Sequence, residues 1–98
     1  MEAPPKRIKE IEKESLVNIK FSKQDVLLDE VKRRLRNIYL KKAELLGNSY
    51  KGKVKMVIQT ETEELVCVET TIWYVSDTFI SVKGGINIPI KAICGIEF

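Results

Sequence analysis

Residues 65–75 read LVCVETTIWYV, and this stretch decides the fold. Its β-branched and aromatic residues are typical of a β-strand, and apolar side chains fall on both faces of that strand. Both faces therefore need cover from other parts of the chain. A strand of this length usually bends, so that its two halves serve different parts of a curled sheet. The stretch predicts a small, strongly curved antiparallel β structure.

Shorter stretches with a period of two flank this strand and extend the β structure. Before it, Val54, Met56 and Ile58 share one face, and lysines and a glutamine occupy the other. Alternation of this kind is typical of a strand with one buried face. Five strands are predicted in all, near residues 53–60, 65–76, 79–83, 86–90 and 94–98.

The connections between these strands are short and carry turn residues. Residues 76–78 form a predicted turn around an aspartate, and Gly84-Gly85 provides a hairpin reversal in which both positions accept positive φ. Pro89 lacks a backbone donor, so it marks a sheet edge or the end of a strand. Residues 91–93 are predicted to form one tight turn before the last strand. Short connections of this kind favour a small barrel or half-barrel.

Ahead of the strands, the sequence predicts one amphipathic helix over residues 23–46. Ser22, three residues before Asp25, is typical of a helix start, and Gly47 offers the left-handed residue with which helices commonly end. Apolar residues fall on one arc at 100° per residue, namely Leu28, Val31, Leu35, Ile38, Tyr39 and Leu46. We expect this arc to pack on the sheet rather than on a helix of another chain, because Lys42 interrupts it.

Residues 1–21 are predicted to be a partly ordered N-terminal tail. Ile8 and Ile11 are three apart, which allows one or two helical turns, and residues 17–21 alternate as in a short edge strand. Residues 22–98 are then a single domain. The expected fold is α+β, with an N-terminal amphipathic helix packed on a small five-stranded antiparallel curled sheet or barrel.

Composition indicates a folded domain with little sign of catalysis. Of the 98 residues, 44% are hydrophobic and 32% are charged, and the chain has no histidine. A serine or cysteine nucleophile therefore lacks its usual base, and Cys67 and Cys94 have no partners for a zinc site. We expect two free thiols, no metal, no cofactor and no enzymatic activity. The charged N-terminus and the absence of a long apolar run predict a cytoplasmic protein without membrane association.

Three short motifs resemble a group of short uncharacterised bacterial proteins. These motifs are Val68 to Thr71 followed by Trp73, Lys83 to Gly85, and Ile88 to Ile90. The bent strand and the I-P-I motif close before a final strand are also similar to Sm-like and SH3-like barrels. That second resemblance implies architecture alone, because the early glycine and the turn asparagine of Sm proteins are missing. A function is not implied, since small barrels carry many unrelated functions.

The positive charge of the chain is concentrated on the predicted helix. Residues 22–46 have a net charge of +3, equal to that of the whole chain, and the run from Lys32 to Lys42 within them contains six basic residues and no acid. At helical spacing, one side of the polar arc carries Lys32, Arg33 and Arg36. The other side carries Arg34 and Lys41. Such a face is able to contact phosphates, so a non-catalytic module that binds nucleic acid, RNA first, is one hypothesis.

A protein-interaction or small structural module that uses the sheet and its edges is the alternative. In that case the basic face only keeps the helix in solvent. Trp73 and Tyr74 are candidate partner contacts, unless they pack in the core. We expect a monomer or a weak homo-oligomer, and a dimer through the proline-containing or C-terminal strand stays open.

Overall fold

The structure of this chain is a computed structural model, and it describes residues 7–98. The strands are β1 (Ile8–Glu10), β2 (Val54–Gln59), β3 (Leu65–Thr70), β4 (Ile72–Val75), β5 (Phe79–Val82), β6 (Ile86–Pro89) and β7 (Ile93–Glu97), and the helix α1 is Glu30–Tyr50. The predicted α+β class is confirmed. Four of the five predicted strands are present with ends that differ from the predicted ones by at most one residue, and the fifth, predicted at residues 65–76, is divided into β3 and β4.

The strands form two sheets. The first has the order β1-β3-β2-β7, and the second has the order β4-β5-β6. Neighbouring strands are antiparallel, except that β1 lies parallel to β3. No closed barrel is formed by residues 7–98, so the five-stranded sheet or barrel of the prediction is replaced by seven strands in two sheets.

The long stretch at residues 65–75 bends as predicted. Thr71 interrupts it, so that β3 belongs to the first sheet and β4 to the second. One continuous segment thus connects the two sheets. Both halves of the segment contribute to the core, with Val66 and Val68 before the bend and Ile72 and Val75 after it. The expected cover on both faces is only partial, because Trp73 and Tyr74 are exposed.

The predicted reversals are also confirmed. Gly84 and Gly85 have φ of 97° and 79°, values that glycine adopts without a steric cost. β6 is an outer strand of its sheet and ends at Pro89, as expected for a residue without a backbone donor. A 3-10 turn at Ile90–Ala92 then leads into β7.

The N-terminal segment differs from its prediction. Residues 1–6 of the predicted tail lie outside the described residues. Ile8–Glu10 form the edge strand β1 rather than a helical turn, and Lys13–Asn18 form a 3-10 helix that buries Leu16. Of the predicted strand at residues 17–21, only an isolated bridge between Phe21 and Thr60 is present. The helix α1 is therefore not N-terminal, because a strand and a 3-10 helix precede it.

The helix begins seven residues later than predicted, at Glu30 rather than Lys23. The hydroxyl of Ser22 donates to the carbonyl of Gln24, and the backbone N–H of Val26 donates to the carbonyl of Lys91 at 2.9 Å. These groups are engaged with other partners and do not enter a helical ladder. Asp29 caps the helix instead, because its carboxylate accepts from the N–H of Val31 at 2.8 Å.

The helix also ends later than predicted, at Tyr50. Lys51 takes the left-handed conformation with φ 53°, and its N–H donates to the carbonyl of Gly47 at 3.0 Å. Gly47 lies inside the helix, where it serves another purpose. A Cβ added at this glycine would lie 2.1 Å from the backbone oxygen of Ile72. The glycine therefore permits a close approach of α1 to β4.

The buried face of α1 is not the predicted one. The residues of the helix that are buried are Arg36, Leu40, Ala43 and Gly47. The predicted arc lies on the other side and is exposed, apart from Leu46, which packs against the core. Small side chains at two of the four buried positions bring the helix backbone close to β4, so the larger apolar residues on the other side face outward.

One core fills the space between the two sheets and the inner face of the helix. Its apolar side chains come from both sheets, from the helix and from the N-terminal 3-10 helix. The largest that are completely buried are Leu16, Leu40, Met56, Ile58, Ile72, Ile80, Ile88 and Ile93. The helix is thereby fixed against β4 and β7, with its opposite side turned to solvent.

Candidate binding surface

Polar side chains of α1 hold the helix along the outer edge of β4. Glu44 Oε2 accepts from the backbone N–H of Val75 at 2.6 Å. Lys41 Nζ donates to the carbonyl of Val75 at 3.4 Å, and Asn48 Nδ2 donates to the carbonyl of Trp73 at 3.3 Å. The helix therefore supplies partners that a neighbouring strand would otherwise supply.

Arg36 is a buried structural residue. Its two terminal nitrogens each lie 2.9 Å from one oxygen of the Asp25 carboxylate, and one of them also donates to the carbonyl of Ile93 at 3.1 Å. Only 5% of the residue is exposed. A phosphate at the surface therefore does not reach this guanidinium, although the sequence placed Arg36 on the predicted basic face.

The carboxylate that faces Arg36 is held in its ionised form. Partial burial by itself raises the pKa of Asp25, but hydrogen bonds from Arg36 and from the N–H of Leu27, together with the charges of Arg36 and Arg33, outweigh it. The net result is a pKa below the ordinary value. This pair joins the segment ahead of the helix to the helix itself.

The other four predicted basic residues divide into two pairs. Arg33 Nε donates to the carbonyl of Leu27 at 2.6 Å, and Lys41 is bound to Val75 and lies 3.7 Å from Glu44. Lys32 and Arg34 are exposed and make no hydrogen bond or ion pair within residues 7–98. The predicted basic face is thus smaller than the sequence suggested.

The outward side of α1 carries an apolar stripe, which we call the outer stripe. It consists of Val31, Leu35, Ile38, Lys42 and Leu45. The four apolar members are exposed to 63%, 43%, 60% and 68% respectively. Their spacing alternates between four and three residues, which is the pattern by which one helix packs along another. A contiguous exposed apolar patch of this kind is typical of an interaction surface.

A shallow groove runs beside the outer stripe, between α1 and β7. Its volume is about 200 Å³, and Leu27, Leu35, Tyr39 and Ile96 contribute most of its apolar lining. Phe98 lies near one end, where its ring contacts Tyr39 edge-on with centroids 6.2 Å apart. Lys42 Nζ lies 5.1 Å from the centre of the same ring. The outer stripe is thereby continued sideways into a concave apolar surface.

Trp73 and Tyr74 are also at the surface. Their exposed fractions are 50% and 54%, so the interpretation that they pack in the core is wrong. Tyr74 contacts the ring of Phe79 edge-on at 6.2 Å. Ile72 and Val75 occupy the buried positions of β4, and a register shift between Ile72 and Tyr74 turns both aromatic side chains outward. They are available as contacts, but lie on a different element from the outer stripe.

The rest of the described chain offers little reactive chemistry. Cys67 and Cys94 are not joined in a disulfide. Burial together with the charge of Glu10 raises the pKa of Cys67. Within residues 7–98, no three histidine, cysteine or acidic side chains are arranged to hold a metal ion. The helix of this part of the chain is not of the length and apolar character needed to cross a membrane.

Comparison with known proteins identifies no relative. No family model matches the sequence, and neither the curated proteins nor the solved structures include a significant match. The resemblance of the Trp73 strand and the I-P-I motif to short bacterial proteins therefore stays a prediction.

Proposed function

We propose that this chain is a non-catalytic binding module that docks a partner protein on the outward side of α1. The observation that carries the proposal is the outer stripe, whose apolar members are all exposed in a helix that already has a separate buried face. A surface helix of an isolated domain needs one apolar face, and here that need is met by Leu40, Ala43 and Gly47. The second apolar face, which the sheets of this chain do not cover, is explained by a partner protein that binds there.

The shape and position of the surface support a protein as that partner. The 4-3-4-3 spacing of the outer stripe suits side chains of another helix, and the adjacent groove beside Leu35 and Tyr39 offers a place for an apolar anchor. A sheet-edge contact, the form of protein binding that the sequence suggested, has less support at β4 because polar side chains of α1 occupy its edge.

Binding of nucleic acid is a second candidate, favoured by a specific observation. Lys32 and Arg34 are exposed without internal partners, and Trp73 and Tyr74 are exposed aromatic rings of the kind on which bases stack. Against it, Arg36 is buried and Lys41 is engaged with β4. Fewer cations therefore remain for phosphates than the net charge of the run suggests.

The finer architectural proposal is that the β structure is related to Sm-like and SH3-like barrels. The bend at Thr71, which lets one segment serve both sheets, and the turn after Pro89 that leads into the last strand support this relation. A bacterial origin and a cytoplasmic location belong to the same proposal, and they rest on the sequence alone.

Site-specific photo-crosslinking tests the docking surface. A photoreactive residue at position 38 lies in the outer stripe, and the same residue at position 37 is a matched control on a neighbouring exposed position outside it. We expect a discrete adduct with one protein from position 38 only, competed by unlabelled chain and not by Ile38→Asp. Equal labelling from both positions, or none, argues against the proposal.

A nucleic-acid titration followed by NMR distinguishes the second candidate. Single-stranded and duplex nucleic acid are added at low and near-physiological salt. Binding through phosphates shifts the signals of Lys32 and Arg34 and weakens steeply as salt rises. If no signal moves at low salt, nucleic acid is excluded and the protein partner is left.

A further inference from the structure

We infer that the segment that occupies the outer stripe is an amphipathic helix of another protein with acidic residues on both sides of its apolar seam. This inference rests on the proposed function and adds the chemistry of the partner. From Val31 to Leu45 the outer stripe extends over about 20 Å, or two heptads of a helix. Its positions therefore match a partner helix of similar length that lies along α1.

The positive charges beside the outer stripe favour a partner with negative charge at the facing positions. Lys32 lies on one side of the stripe and Arg34 on the other, and both are exposed without an ion pair within residues 7–98. Lys41, on the same side as Arg34, is bound to Val75 and Glu44. These are the positions that face the flanking residues of a neighbouring helix. The nearby acid Glu44 is bound to the backbone of Val75. Glutamate or aspartate at the facing positions of the partner thus meets cations on both sides.

Lys42, which lies within the stripe, also favours an acidic partner. It occupies a seam position, and its ammonium group lies 5.1 Å from the centre of the Phe98 ring at the margin of the stripe. A lysine in an apolar seam extends its charged end toward the rim and leaves its stem in the apolar contact. An acidic residue on the rim of a partner helix would bind that charge.

A second copy of this chain is a poorer occupant. Two copies would bring the rows that contain Arg34, Lys41 and Lys42 close to one another, and like charges across an interface are unfavourable. The contact between two copies would be limited to one stripe of about two heptads from each chain, which is small for a stable complex. A contact of that size offers little to offset the repulsion.

A lipid surface is also a poorer match than a helix. The groove between α1 and β7 is concave, and Leu35 and Tyr39 form one of its walls. A side chain that projects from a partner helix fills such a concavity, as anchor residues do at protein interfaces. A flat membrane surface would contact the ridge of the helix and leave this groove empty.

Three synthetic peptides test the inference directly. Each has the length of α1 and carries a fluorophore, and binding is measured by anisotropy. The first has leucine or isoleucine at the seam positions and glutamate beside them. The second replaces these glutamates by lysine, and the third keeps the composition of the first but shuffles the apolar positions. We expect the first to bind at least about tenfold more tightly than the other two, and to weaken as salt rises.

Variants of the chain complete the test. Lys32→Glu with Arg34→Glu should weaken the acidic peptide and strengthen the basic one. The control Lys9→Glu with Lys83→Glu changes the net charge equally, away from the helix, and should leave the preference unchanged. Failure of the acidic peptide to bind, or an unchanged preference in the first variant, overturns the inference.

The remaining outcomes separate this inference from the proposed function. If acidic and basic peptides bind equally and Ile38→Asp abolishes both, the docking surface stands and the acidic partner is wrong. If Ile38→Asp affects no peptide, both fail. A dimer in sedimentation that Ile38→Asp abolishes names a second copy as the occupant. Ile38-dependent binding to phosphatidylserine vesicles, without binding of the acidic peptide, identifies a membrane as the occupant. A dimer of this kind or vesicle binding of this kind overturns the inference.

Discussion

Replacing Gly47 by alanine tests how closely α1 approaches β4. In an isolated helix this change is favourable by about 1 kcal/mol, because alanine has the higher helix propensity. In this chain the added Cβ would lie 2.1 Å from the carbonyl oxygen of Ile72 and 3.1 Å from Thr71 Cγ2. The first neighbour is backbone inside a sheet, so the helix has to move away by about 1 Å before the contact becomes tolerable.

The cost of that movement follows from what holds the helix in place. The bond from Val75 N–H to Glu44 is 2.6 Å and those made by Lys41 and Asn48 are 3.3 to 3.4 Å, so a shift of this size breaks the longer ones. Overpacking costs about 1–3 kcal/mol, and loss of a hydrogen bond to a charged group adds about 1.5–3 kcal/mol. After the propensity gain is subtracted, we expect Gly47→Ala to destabilise the chain by about 1.5–5 kcal/mol.

Thermal and urea unfolding followed by circular dichroism measure this effect. A loss of this size lowers the midpoint temperature by about 6 °C or more in a domain of this length. Gly95→Ala is the matched control, since a Cβ there meets nothing within 4 Å, and it should be close to neutral. If Gly47→Ala raises the midpoint temperature, the gain in helix propensity exceeds the cost of the added Cβ, and the close contact between α1 and β4 is refuted.

Three further predictions concern the buried pair, the exposed aromatic residue and a thiol. Asp25→Asn leaves Arg36 without its counter-charge and should cost about 3 kcal/mol in urea unfolding. Because the pKa of Asp25 is lowered by folding, its contribution is present above the unfolded value near 4 and is lost as pH falls through the folded value. The acid-induced loss of stability should therefore be smaller in Asp25→Asn than in the unaltered chain, and an equal loss would contradict this. Trp73→Ala should cost less than about 1.5 kcal/mol, whereas Ile72→Ala should cost about 2–5 kcal/mol, and the reverse order in thermal melts would place Trp73 in the core. Cys67, with its raised pKa, should be alkylated by iodoacetamide at neutral pH more slowly than an unperturbed cysteine, and a faster rate would count against its burial.

The β structure was predictable because local signals and tertiary structure agree there. Alternation at Val54, Met56 and Ile58 matches their burial, and the positive φ of Gly84 and Gly85 matches the turn. The bend near Thr71 followed from apolar residues on both faces of one long strand. In each case, the residues that carry the pattern are also the residues that make the contacts.

The helix was harder to predict because it has two apolar faces. The larger residues, such as Leu35 and Ile38, produce the stronger periodic signal, yet they point outward. The inner face is marked by Ala43 and Gly47, whose small size permits close packing but adds little hydrophobicity. The start of the helix was missed for a different reason, because the N–H of Ser22 donates to the carbonyl of Gln59 and the carboxylate of Asp25 accepts from Arg36, and local sequence does not reveal these partners.

The same ambiguity governed the candidate site. Counting charges placed Arg36 on a binding face, whereas the structure pairs it with Asp25 in the interior. The 4-3-4-3 spacing of Val31, Leu35, Ile38, Lys42 and Leu45 is visible in the sequence. Choosing between core and surface for that stripe required the position of the sheet, because both faces of α1 were chemically able to pack on it.

The contact between α1 and the edge of β4 has a consequence for the folding and solubility of the chain. Glu44, Lys41 and Asn48 occupy the backbone groups of Val75 and Trp73 only while the helix is docked. A partly unfolded chain in which α1 has detached exposes a short strand edge beside two aromatic side chains, which is a template for pairing between molecules. Detachment of the helix should therefore cause aggregation before the sheets themselves unfold. We expect variants that loosen α1 to lose solubility at temperatures at which their strands are still intact.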